Sequence, residues 1–197
     1  MKKLSVLLIV AGFIFLGFGG YQWFKTESAQ NKSLAEAHAL LDQGTKHSDN
    51  AGNAAKPEDF SPSTGDTAGI LFIPKLEAQL PIIEGTHEDE LEKGVGHYKG
   101  TAYPQQNDQI VLSGHRDTVF RQMGELEIGD ILTIQLPYGN FSYEIVATDI
   151  VDAEDRTIIV PTAPDEVLTL TTCYPFSFIG SAPDRYIITA LPVDNNK

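Results

Sequence analysis

Ile131-Leu-Thr-Ile-Gln-Leu-Pro-Tyr-Gly-Asn-Phe141 sets apolar Leu132, Ile134 and Leu136 against Thr133 and Gln135, then breaks at Pro137 before Phe141 opens a second run. A period of two sends alternate side chains to opposite faces of a strand, and the Pro-to-Asn break supplies a turn, so the stretch predicts a hairpin. Working outward, short β-branched or alternating segments set off by Gly, Pro and Asn recur across 69–193. Candidate strands are 70–73, 80–83, 109–113, 131–136, 141–151, 167–172 and 185–191. Helical patterning in this region is limited to 88–92 and 118–123. The expectation is a mainly β fold, a sandwich or barrel with short helices, and no internal repeat is visible.

The segment before it differs in kind. Residues 4–24 carry no charge, follow Lys2 and Lys3, and end in Tyr21, Trp23 and Phe24. As a helix the run spans roughly 31 Å, about the thickness of a bilayer core. A cleavable signal would have a shorter apolar region and a small-x-small site. The lysines and the terminal aromatics therefore predict an uncleaved transmembrane helix over 1–25, with its N-terminus inside. Ser33-Leu-Ala-Glu36 matches a capping box, which predicts a short helix to Gln43 stopped by Gly44. Residues 44–66 are polar apart from Phe60 and read as a flexible linker. The expected organisation is an anchor at 1–25, a juxtamembrane helix and linker at 26–66, and a catalytic domain at 67–197.

With 197 residues the chain has room for one domain beyond its anchor. A net charge of -13, with every acid at or after Glu27, would repel phosphate backbones, so no nucleic-acid partner is expected. Cys173 is the only cysteine and cannot form an intramolecular disulfide. Along Val167-Leu-Thr-Leu-Thr-Thr-Cys173, alternation puts Thr169, Thr171 and Cys173 on one face and Leu168 and Leu170 on the other. A buried small hydrophobe is one role for such a thiol. The other is a nucleophile, which needs a base or cation nearby.

Of five histidines, His38 and His47 fall in the tether, and His87 and His97 read as surface residues. His115 follows the apolar run Ile110-Val-Leu112 through Ser113-Gly114, a strand-to-loop transition of the kind that often holds catalytic groups. Arg185 opens the final strand, and a fixed guanidinium beside a thiol could stabilise an oxyanion or hold a peptide carbonyl. Ordinary surface or turn roles stay open for both.

Ser113-Gly-His115, then Thr169-Leu-Thr-Thr-Cys173, then Arg185 on the next strand resemble the sortase family of cysteine transpeptidases, whose signature is T-L-x-T-C. Tyr174-Pro175-Phe176 and Gly180-x-Ala182-Pro183-x-Arg185-Tyr186 look like the class D branch of Gram-positive bacteria. The resemblance implies a closed eight-stranded β-barrel, with Cys173 as nucleophile, His115 as general acid and base, and Arg185 as oxyanion or substrate ligand. It also implies secreted proteins with a C-terminal Leu-Pro-x-Thr-Ala or Leu-Pro-x-Thr-Gly signal as substrates. Acceptance by a peptidoglycan precursor amine, with no cofactor and no metal, completes the implied chemistry.

Ile158, Ile159 and Val160, and Thr172 beside the cysteine, are the candidate substrate-binding residues. Asp59-Phe60 lacks the Asp-Pro-aromatic pattern of the lids in pilin-polymerising members, which favours wall anchoring over pilus assembly. Glu88, Asp89, Glu90 and Glu92 read as a solvated acidic helix, without the ligand spacing of a calcium loop. Papain-like hydrolases place cysteine before histidine, and L,D-transpeptidases place the two almost adjacent, so neither fits. A non-catalytic β-domain that binds wall polymer or a partner is the rival from another class, and thiol reactivity would separate it.

Overall fold

The computed structural model describes residues 2–48, 56–177 and 180–193; the side chains of 2, 5, 6, 8 and 45–48 lie outside the description, and His47 with them. Eight strands follow one another along the chain: β1 (Thr67–Ile73), β2 (Ala78–Glu84), β3 (Val95–His97), β4 (Gln109–Ser113), β5 (Ile131–Leu136), β6 (Gly139–Asp152), β7 (Val167–Tyr174) and β8 (Asp184–Pro192). They close into a barrel in the order β1-β2-β3-β4-β7-β8-β6-β5, with β5 returning to β1. Among the described residues every strand of the barrel has a paired neighbour on each side. The expected hairpin is β5 and β6, paired from Ile131↔Glu144 to Leu136↔Gly139 around Pro137 and Tyr138.

Alternation explains the interior. Leu132, Ile134 and Leu136 point inward to meet Leu71, Ile82, Ile110, Leu112, Leu168, Leu170 and Ile188 in a single buried cluster. Burying each such side chain contributes about 1.5–3 kcal/mol. Gly69 faces Gln135 so closely that any Cβ there would collide with its carbonyl oxygen, so β1 and β5 pair at that level only because residue 69 is glycine.

Two pairs are parallel, β2 with β3 and β4 with β7. The second of these places the site. β3 has no counterpart among the sequence-predicted strands, since Val95-Gly-His97 is too short and too glycine-rich to show a period. The expected helix over 118–123 is instead a series of turns that ends in a 3-10 segment, Met123–Glu125.

The N-terminal region departs most from expectation. One continuous helix, α1 (Lys2–Ser48), replaces the separate anchor, cap and short helix. Ser33 is buried within it rather than starting a helix, together with Ala37, against the barrel wall. Glu36 accepts a hydrogen bond from the Thr67 hydroxyl at 3.2 Å, and Lys25 pairs with Glu92 at 2.9 Å. Gly44 does not stop the helix; it lets the helix backbone press against Pro137. The large apolar side chains from Leu4 to Phe24 that are described lie exposed, away from the core. Among the described residues no helix is long and apolar enough to cross a membrane.

Of the expected linker, 49–55 lie outside the described residues, and 56–66 are fastened down. Gln106 donates to the carbonyls of Pro57 and Phe60 at 2.8 and 3.2 Å. The Phe60 ring packs edge-on against Tyr103 and Tyr138.

His97 corrects a further expectation, because it is buried, not a surface residue. Its Nδ1 lies 2.6 Å from Glu84 Oε2, which also accepts from the Tyr103 hydroxyl at 2.7 Å, while Nε2 faces the Ala102 carbonyl at 2.9 Å. Burial pushes the Glu84 carboxyl up, but the hydrogen bonds from His97 and Tyr103 and the His97 charge outweigh it and hold the group below its ordinary 4.5. A carboxyl depressed in the folded state contributes stability above its unfolded pKa and loses it as pH falls through the folded one. Acidification below about pH 4.5 therefore removes this contribution. The melting temperature of the wild-type protein should fall more steeply from about pH 5 to pH 3 than that of Glu84→Gln, and equal slopes would count against the assignment.

Candidate active site

Cys173 is the penultimate residue of β7, on the outer face of the barrel, as the alternation predicted: Leu168, Leu170 and Thr172 turn inward while Thr169, Thr171 and Cys173 turn out. In the antiparallel ladder with β8, Cys173 is the direct partner of Arg185. Side chains so paired share a face with their Cβ atoms about 5 Å apart. Both are half-buried. On the other side β4 runs parallel to β7, with Ser113 opposite Thr171. Gly114 carries the pairing one residue beyond the strand, donating to the Thr171 carbonyl at 3.1 Å. His115 then leaves at the level of Cys173. The three sequence-predicted catalytic residues thus converge from adjacent strands at one end of the sheet.

The site's loops are tied together by groups that the sequence did not single out. Gly114 has Phe120 and Val119 packed where a Cβ would sit, so the turn that launches His115 needs glycine. The amides of Thr118 and Phe120 donate back to the His115 carbonyl at 3.3 and 3.0 Å. Arg116, 6% exposed, donates to the Pro175 carbonyl at 3.2 Å and the Gly180 carbonyl at 2.8 Å. It thereby joins the residue after His115 to the loop after Cys173. The same loop is wedged by Phe176, edge-on to both Tyr174 and Tyr186. The only sequence signal for Arg116 was its place beside His115, and an arginine in a loop reads as a surface charge.

Thr172, a candidate substrate contact in the sequence, is buried. Its side chain turns into the barrel and its hydroxyl donates to the Gly114 carbonyl at 2.7 Å, so it clamps β7 to the histidine's strand. Arg185 at present points its Nη1 to the carbonyls of Ala182 and Asp184, at 3.3 and 3.0 Å. Ile158 lines a groove of about 320 Å³ with Gln109, Thr169, Ile187 and Thr189 on the same outer face as Cys173. Ile159 is half-buried outside that lining, and Val160 is exposed. Among the described residues no group of three or more His, Cys, Asp or Glu side chains could hold a metal ion. In α2 (Glu88–Leu91), Glu90 caps the His87 amide, and Glu92 just beyond it is the partner of Lys25.

The sortase domain profile matches residues 71–193, which span every strand but the start of β1. The chain belongs to the sortase family. It is 53% identical over 195 residues to sortase D of Bacillus subtilis, covering 95% of this chain and 97% of that one. Among solved structures, a sortase D5 transpeptidase of Clostridium perfringens superposes with a TM-score of 0.69 at 25% identity, over 84% of this chain and 99% of that one. A sortase C of the same organism, solved with the C-terminal cell wall sorting motif, shares the fold at a TM-score of 0.62 and 24% identity, covering 85% and 90% of the two chains. This sortase is accordingly a cysteine transpeptidase with the eight-stranded barrel that the resemblance implied.

Proposed function

We propose that this sortase cleaves a Leu-Pro-x-Thr-Ala or Leu-Pro-x-Thr-Gly signal after threonine and joins the released protein to an amine of a cell-wall precursor. The direct β7–β8 pairing of Cys173 with Arg185, with His115 level with them on β4's exit, carries this reading. The Cys173 Sγ attacks the threonine carbonyl carbon, and Arg185 turns its guanidinium from the loop carbonyls to the oxygen that gains charge. As the C–N bond breaks, His115 gives a proton to the leaving amine, and a thioacyl enzyme remains. The acceptor amine then attacks the thioester carbonyl and yields its proton to His115. The C–S bond breaks, the sulfur leaves as the thiolate beside the protonated His115 that began the cycle, and one amide has replaced another with no need of ATP or metal.

The exposed apolar stretch of α1 behind Lys2 and Lys3 supports a single-pass anchor, with the N-terminus cytoplasmic and the barrel outside, where membrane-held precursors emerge. The sorting motif in the related sortase C structure supports the substrate class.

Intact-mass spectrometry of the detergent-solubilised chain tests the chemistry. Incubation with Leu-Pro-Asn-Thr-Ala and Leu-Pro-x-Thr-Gly peptides should give an acyl adduct on Cys173 that an added amine removes, and the two yields rank the signals. Folded protein that forms no adduct with either peptide would reject this substrate class.

A further inference from the structure

We propose that Gln109 is a positioning residue that fixes the roof of the peptide groove, and with it the fit of the apolar side chain at the far end of the signal. The inference rests on reading the groove as the peptide site. Gln109 opens β4, is 6% exposed, and uses its amide fully. Nε2 donates to the Ile158 carbonyl at 2.7 Å and to the Thr169 hydroxyl at 3.0 Å, while Oε1 accepts from the Val160 amide at 2.9 Å. A backbone carbonyl only accepts and a backbone N–H only donates, so these partners fix the amide's orientation, and a carboxylate cannot replace it. The side chain thereby bonds both polar groups flanking Ile159, as a neighbouring strand would.

The surrounding contacts extend the clip. Asp108 Oδ1 accepts from the amides of Thr162 and Ala163 at 2.6 and 3.1 Å, and Glu166 accepts from the Gln105 amide at 2.6 Å. The Gln109 amide, which donates to the same Asp108 oxygen at 2.8 Å, together with the Thr162 and Ala163 amides holds the Asp108 carboxyl below the ordinary carboxyl range. Bonds within the loop itself are local, such as Ile159 N to the Arg156 carbonyl at 3.2 Å. What sets the height of Ile158 over the sheet is therefore the clip, with Gln109 at its groove end.

The spacing matches the signal. Along the outer face the ladder steps from Cys173↔Arg185 through Thr171↔Ile187 to Thr169↔Thr189. At about 3.4 Å per residue, Thr169 lies roughly 14 Å from Cys173, about the length of four extended residues. A Leu-Pro-x-Thr peptide with its threonine carbonyl at Cys173 lays its leucine under Ile158.

The test compares the full chain with Gln109→Met, which keeps the shape and loses the hydrogen bonds, and Gln109→Glu, which sets an acceptor against the Ile158 carbonyl. Asp108→Ala is the second site, near the surface, should Gln109 variants fail to fold. Both Gln109 variants should raise the peptide KM about tenfold while kcat stays within about threefold. The discrimination between leucine and valine at the first position should narrow, and the pH profile of Cys173 alkylation should not move. Hydrogen exchange at Val160 should accelerate. Unchanged KM in a variant whose Val160 exchanges faster would overturn the proposal, as would a fall in kcat and alkylation at constant KM. If Gln109→Met does not fold, wild-type KM in Asp108→Ala with faster exchange at Thr162 overturns it too. If the wild-type chain turns over neither peptide although Cys173 alkylates and Val160 is protected, the substrate reading itself fails and the proposal goes with it.

Discussion

Cys173→Ala should abolish both peptide cleavage and transfer, with no acyl adduct at any peptide concentration and a melting temperature close to that of the wild-type protein. Cys173 is half-buried on the outer face, so removing its sulfur opens no cavity in the barrel. His115→Ala leaves the thiol in place but removes the proposed proton donor to the leaving amine, and should lower the acylation rate by about 10² to 10⁴. Arg185→Lys retains the charge but not the planar fork and should cost roughly 10² in kcat. If the three groups act on one carbonyl as proposed, the double variant of His115 and Arg185 should lose much less than the product of the single losses. Stopped assays with a chromogenic sorting peptide give these rates. Cleavage that persists in Cys173→Ala would remove the thioacyl route through Cys173.

Arg116→Met is expected to cut kcat about 10-fold to 100-fold although Arg116 is assigned no contact with the peptide. Its guanidinium holds the carbonyls of Pro175 and Gly180, on either side of the loop that follows the cysteine, to the residue after His115. Two carbonyls lose a charged donor, which should also destabilise the fold by about 1–3 kcal/mol. A loss of packing alone would lower the melting temperature and leave the surviving folded enzyme with normal kinetics. Loss of positioning instead changes the pH profile of Cys173 alkylation, and Arg116→Lys, which can still reach one carbonyl, should restore part of kcat. Normal kcat and an unmoved profile in folded Arg116→Met would assign the residue to stability only.

What the sequence disclosed follows the length over which a physical signal repeats. In β5 and β7 the alternation runs for several residues, so both the hairpin and the outward face of Cys173 were legible. In β3 only Val95 is apolar between two glycines, and its strand character comes from pairing with β2 and β4. α1 was divided in the sequence because Ser33 and Gly44 carry local signals for a cap and a stop. Tertiary contact overrides both: Ser33 is buried against the barrel, and Gly44 permits close approach to Pro137. His97, Arg116 and Gln109 are polar residues whose roles depend on distant partners such as Glu84, Gly180 and Ile158. No local pattern marks a buried polar residue, and that is why the candidate catalytic residues were legible before the residues that hold their loops.

The place of β8 in the barrel has a consequence in time. It is the last strand to be made, yet it inserts between β6 and β7 and brings Arg185 to Cys173. On a chain that leaves the ribosome N-terminus first, the thiol is synthesised before its arginine exists, and the sheet stays open until the final strand docks. A nascent or truncated polypeptide therefore presents a cysteine without the assembled site. On the proposed mechanism, chemistry on peptide bonds would begin only once β8 has docked, so the order of assembly itself would keep an unfinished chain from attacking its substrates.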